Sequence, residues 1–119
     1  MKVYGKKEWL IADCYFDSNW NKQVSHEAIC VLNTSQQNAV IQITLFFQDR
    51  DPMTGFVAEC GSMRTHHIRM DKLLNQDGQP VPKDTPYAVL VESNVEVVCQ
   101  YTRLDTAQSE MALMTTIAY

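Results

Sequence analysis

The densest group of reactive side chains in the sequence is Arg64-Thr65-His66-His67-Ile68-Arg69. Arginine presents a planar fork of donors that matches carboxylate or phosphate. A neighbouring histidine adds a group whose charge changes near neutral pH. Together they describe an anion or polyol site. On a strand, Arg64, His66 and Ile68 share one face, and Thr65, His67 and Arg69 share the other. The adjacent pair His66-His67 therefore diverges and is poorly placed to hold one metal ion. The alternative is a solvated edge strand carrying long side chains.

Two further stretches carry polar groups beside apolar runs. Ser25-His26-Glu27 leads directly into Ala28–Leu32, where it makes either a polar rim on a binding cavity or a strand start held by local hydrogen bonds. Gln100-Tyr101-Thr102-Arg103-Leu104-Asp105 turns an apolar strand polar, as a strand does when it runs out of a core into a site or an interface. The plainer reading of its end is an Arg103–Asp105 surface ion pair, which is worth little. No nucleophile elbow, P-loop, dinucleotide fingerprint or zincin motif occurs, so the residues give little support to an enzyme.

Strands must position these groups. Val40–Phe47 alternates, with Ile41, Ile43, Leu45 and Phe47 on one side and Gln42 and Thr44 on the other, the pattern of a half-buried strand. Trp9–Ala12, Ala28–Leu32, Val89–Val91 and Glu96–Thr102 read as strands from their β-branched and aromatic content. Thr115-Thr116-Ile117 favours one more at the end of the chain. Asp49–Pro52 with Gly55 reads as a hairpin loop, and Asp77-Gly78 as a turn. Ser93-Asn94 reads as a tight hairpin between two strands. Asp17–Asn19 and Asn33–Ser35 are polar breaks, and Pro80, Pro82 and Pro86 bracket an extended connection. Asp71–Leu74 would make one helical turn capped by Asp71. Many short strands separated by turns predict an all-β, antiparallel, jelly-roll-like β-sandwich with little helix. At 119 residues the chain is expected to form one domain over 1–119.

The formal net charge is −4, which argues against nucleic acid, because such affinity comes largely from neutralising phosphates. No apolar run reaches the length of a membrane span or a signal peptide, so a cytoplasmic location is expected. Cys14, Cys30, Cys60 and Cys99 lack the spacing of a zinc or redox motif and are expected to be reduced and mostly buried. No cofactor or metal is expected.

The blocks Ser25–Asn33, Arg64–Met70 and Ser93–Asp105, with the ending Glu110–Tyr119, resemble the sensory rhodopsin transducer family. The opening Trp9–Asp13 and the segment Val81–Thr85 also fit, in order and at similar spacing. The resemblance implies a β-sandwich that assembles as a homotetramer, a soluble partner for a membrane photoreceptor, and a link to DNA. It also implies a non-enzymatic small-molecule-binding domain, with sugars as the proposed ligands. Carried over by position, the implied ligand-binding residues are His26, Glu27, Arg64, His67, Arg69, Gln100 and Arg103. The chain departs from the family pattern at His66 and Tyr101, which stand where the photoreceptor partner carries lysine and histidine. Strand parity separates His26 from Glu27 and Gln100 from Arg103, so a bulge or a subunit interface must share out the seven.

Overall fold

The computed structural model describes residues 2–15, 26–105 and 112–119; the side chains of residues 26, 104, 105 and 112–114 lie outside the described part. Its seven strands are β1 (Lys6–Cys14), β2 (His26–Asn33), β3 (Ala39–Phe46), β4 (Met53–Cys60), β5 (Arg64–Arg69), β6 (Tyr87–Asp105) and β7 (Ala112–Ile117). All pairings are antiparallel.

The 19-residue β6 organises the fold. Its first half pairs with β3 on one side and β1 on the other; its second half pairs with β2 and β7. One continuous strand thus belongs to two four-stranded leaves, β4-β3-β6-β1 and β5-β2-β6-β7. The leaves face each other across a single apolar cluster. Ile41, Ile43 and Leu45 of β3, Val89 and Val91 of β6, and Phe56 of β4 come from the first leaf. Ile29 and Val31 of β2, Ile68 of β5, and Cys99 and Tyr101 of β6 come from the second. Such burial contributes roughly 1.5–3 kcal/mol for each large side chain.

The expected hairpin at Ser93-Asn94 is not formed, because β6 runs straight through these residues. The ladder to β1 instead skips, from Glu8↔Glu92 to Lys6↔Val97. This irregularity lets β6 change leaves without a turn. Asn94 accepts the Val40 N–H at 2.6 Å and so stands in for a ladder partner. Trp9 Nε1 donates to Val97 O at 2.8 Å beside the skipped stretch. Gly5 lies against the same carbonyl: a Cβ there would sit 2.0 Å from Val97 O, and its φ of +98° suits glycine.

The helical turn expected at Asp71–Leu74 is also absent; no helix occurs among the described residues. Four residues are too few to nucleate one without help, and the Asp71 carboxylate binds the Arg69 guanidinium rather than a helix N-terminus. Gly55 lies inside β4 rather than in the preceding loop. Its φ of +85° accompanies the register shift between Ile43 and Leu45. The polar break at 17–19 lies outside the described residues. The strand expected at the end of the chain forms as β7, and beyond it Tyr119 N–H donates to Leu10 O at 2.8 Å, joining the chain end to β1.

Candidate recognition face and the carboxylate beneath it

Register sorts the expected site residues onto two sides of the second leaf. On the outward side, His67 of β5 is directly opposite Cys30 of β2, Cys30 is opposite Gln100 of β6, and Gln100 is opposite Ile117 of β7. The next row is Arg69–Ala28–Thr102–Thr115, and the row before it runs Thr65–Leu32–Val98. His67 and Gln100 are exposed and Arg69 is half-buried. The trio therefore occupies two adjacent rows of one face, bordered by the exposed aliphatic groups of Leu32 and Ile117.

Arg69 is held in place. Its Nε and Nη2 each donate to Asp71 at 2.7 Å, a two-point pairing with a carboxylate that is itself nearly buried. The bond to Asp71 holds the guanidinium pKa above its ordinary value. One edge of the guanidinium is used and its far edge stays with the solvent-facing side chain. Beside it, the Thr102 and Thr115 hydroxyls stand 2.9 Å apart, and the Cys30 thiol is 3.8 Å from Thr102 Oγ1. Hydroxyls, an amide, an imidazole and a guanidinium make a face suited to hydrogen-bonding recognition. That face is flat. Four surface clefts, of ≈ 580, ≈ 310, ≈ 330 and ≈ 220 Å³, are lined by none of the seven residues.

Arg64, Glu27 and Arg103 occupy the inward register. Arg64, opposite Asn33 at the end of the leaf, is exposed and its Nη1 donates to Met63 O at 3.1 Å. His66 Nδ1 lies 2.6 Å from Glu59 O and links β5 to β4. His26 pairs through its backbone with Leu104, and its side chain lies outside the described residues.

Glu27 is fully buried, because Glu27, Ile29, Val31 and Asn33 share the inward parity of β2. Its carboxylate collects three donors, two from well-separated positions on β6 and one from the residue that follows β1. Tyr87 Oη donates to Oε1, Tyr101 Oη donates to Oε2, and the Tyr15 N–H donates to Oε2 at 2.7 Å. Tyr87 belongs to the first leaf and Tyr101 to the second, so the carboxylate clamps the leaves together at one end. Arg103, opposite Glu27 in the ladder, reaches Tyr15 O at 3.5 Å. Burial drives the Glu27 pKa up to about 7, against the lowering effect of Tyr87, the Tyr15 N–H and Arg103; Asp13 adds to the rise. Burial also pushes up Tyr87, Cys14 and Cys99, the last to about 12, so these two thiols stay protonated and are poor nucleophiles. Among the described residues, no three His, Cys, Asp or Glu side chains gather as a metal site would require.

Sequence reasoning singled out Glu27, and named Tyr101 only as a departure from the family pattern; it did not point to Tyr87 or Tyr101 as partners of Glu27, nor to Asp71 as the holder of Arg69. The signal for Tyr101 was parity: it alternates with Cys99 and Val97 on the buried side of β6. No spacing rule pointed to Tyr87, which is 60 residues from Glu27.

The fold is that of a small all-β, antiparallel domain. The chain belongs to the sensory rhodopsin transducer family: the family model described as Anabaena sensory rhodopsin transducer matches residues 4–119. Among solved structures, one titled as the crystal structure of Thermotoga maritima 1070 is similar, at 39% identity and a TM-score of 0.85, covering 97% of this chain and 94% of that one. Another, the Anabaena sensory rhodopsin transducer, is 32% identical with a TM-score of 0.77, covering 86% of this chain and all of its own. No curated protein matches the chain. No helix among the described residues is long and apolar enough to cross a membrane.

Proposed function

We propose that the chain is a non-catalytic signalling domain, working in the cytoplasm, that recognises a small polar ligand at the outward face of the β5-β2-β6-β7 leaf. Sugars are the candidate ligand class. The observation that carries this reading is the grouping of Arg69, His67 and Gln100 on adjacent rows, with Arg69 fixed by Asp71. Small-molecule sites combine a few placed polar groups with apolar walls and concavity. The polar groups and the aliphatic border exist in one chain. A second copy laid against this face would supply a further wall, which is how a homotetramer, the assembly the family resemblance implies, enters the reading. The formal net charge of −4 argues against nucleic acid in this role.

A second reading is transduction from a membrane receptor by protein contact. The family description, with its rhodopsin transducer, favours it. So does the negative charge, which suits the basic cytoplasmic surface of a membrane protein.

Thermal shift with a panel of sugars and organic anions tests the ligand reading. A ligand at roughly 100 times its dissociation constant adds about 2.7 kcal/mol of stability. The gain is expected for the parent chain and not for Arg69→Ala. Absence of any shift across the panel, in a chain shown by light scattering to be assembled, would end the ligand reading and leave protein contact.

A further inference from the structure

The outward face of the other leaf is built differently. Register gives its rows as Glu59–Val40, Val57–Gln42–Glu92–Glu8, Thr44–Leu90–Leu10 and Phe46–Ala88. Leu10 and Val57 are 55% and 54% exposed, and Val40 and Phe46 are exposed as well. Every charge in these rows is negative. Glu8 stands directly opposite Glu92 in the ladder, an arrangement of like charges that destabilises an antiparallel pair. Among the described residues, no ion pair involves Glu8, Glu59 or Glu92. Exposed aliphatic groups thus surround an unrelieved pair of carboxylates. The patch asks for a partner with positive charge set among apolar groups.

We propose that this face docks a basic amphipathic segment of a protein partner. Its lysine or arginine side chains bridge Glu8 and Glu92, and its apolar side chains cover Leu10, Leu90 and Val57. Charge argues against a two-fold contact with a second copy, which would set these glutamates against their own equivalents. The inference is independent of the ligand reading of the opposite leaf.

A synthetic peptide of about 18 residues, with leucines at helical spacing and lysines between them, is the probe. Its counterpart with glutamate in place of lysine is the comparison. Fluorescence anisotropy measures affinity, and amide chemical shifts locate the contact. The basic peptide is expected to bind, with shifts confined to β1, β3, β4 and the first half of β6. Affinity should fall roughly tenfold in the double variant Glu8→Gln/Glu92→Gln and in Leu10→Ser. Arg69→Ala on the opposite leaf should bind as the parent does. The double variant should also melt higher than the parent, because the repulsion is gone; a purely structural role for these carboxylates would lower the melting temperature. Equal binding of both peptides, shifts on the second leaf, or unchanged affinity in the double variant would overturn the proposal. If Glu92→Lys breaks up a homo-oligomer, the face belongs to a second copy and the proposal likewise fails.

Discussion

Tyr87 Oη donates a hydrogen bond to Glu27 Oε1 inside the sandwich, and this contact ties the first leaf to the second. Neither residue can be removed without leaving the other's polar atom buried. Leaving a buried polar group without its partner costs more than the bond itself contributes, about 1–3 kcal/mol per group.

The Glu27 pKa of about 7 predicts a stability that depends on pH. An unfolded glutamate ionises near pH 4.3, whereas the folded one holds its proton until about pH 7. Between these values the folded chain binds the extra proton. Stability therefore declines as pH rises from about 4 to about 7, by on the order of 3 kcal/mol, and levels off above. Glu27→Gln removes this slope while its amide still accepts from Tyr15 and Tyr101. Glu27→Ala removes the slope and destabilises by about 3 kcal/mol or more, because two tyrosine hydroxyls and an N–H lose their acceptor. Urea unfolding of the three proteins at several pH values checks this. Identical slopes for parent and Glu27→Gln would show that other groups set the dependence.

Tyr87→Phe should move the same transition upward. The Tyr87 hydrogen bond is the largest influence holding the Glu27 pKa down. Without it, desolvation acts with less opposition, and the carboxyl keeps its proton to higher pH. Carbon-detected NMR titration of the Glu27 carboxyl reads this directly. A midpoint that falls in the variant would reverse the assignment of Tyr87 as donor to the charged form.

Asn33 predicts an effect of amide chemistry rather than size. Its Nδ2 faces three carbonyls, Gln37 O at 2.8 Å and Cys60 O and Gly61 O at 3.1 Å. Its Oδ1 accepts from Ser35 N at 2.9 Å and Ser35 Oγ at 2.7 Å. The side chain thereby fastens the β2–β3 loop to the end of β4. Asn33→Ala should cost about 2–3 kcal/mol. Asn33→Asp, nearly the same shape, should cost more at neutral pH, because it points a charged acceptor at three carbonyl oxygens. Denaturant midpoints at neutral and acid pH separate the two. A milder Asn33→Asp at neutral pH would mean the amide is oriented the other way.

Parity was the legible part of this chain. Val40–Phe47 alternates, and β3 alternates with it. The parity that placed His67 and Arg69 on one side of β5, away from Ile68, holds in the structure, where Ile68 is buried. Glu27 shares the side of β2 that carries Ile29 and Val31 and is buried with them, whereas its polar neighbours Ser25 and His26 had suggested a rim. Ser93-Asn94 misled because a polar pair marks either a turn or a skipped ladder position, and which one forms depends on β1 and β3, both distant in sequence. Asp71 resembled a helix cap only until Arg69 supplied a stronger partner two residues away. Concavity was not legible at all, since it depends on how leaves and copies meet rather than on any local pattern.

Cys30 offers a direct test of whether the second leaf's outward face is open or covered. Cys14, Cys60 and Cys99 are buried; burial pushes each of their thiols up, Cys99 to about 12. Cys30 is half-exposed, lies between His67 and Gln100, and points outward with them. Reaction requires a thiolate with access to solvent. In the folded protein an alkylating reagent should modify Cys30 first, and the other three only after denaturation, as intact-mass spectrometry would record. The rate then becomes a reporter on the face itself. If a second copy or a ligand covers the His67–Cys30–Gln100 row, labelling slows as protein or ligand concentration rises, and Arg69→Ala restores it. Modification of Cys14 or Cys99 ahead of Cys30 would contradict the inward parity of β1 and β6 and, with it, the placement of the face.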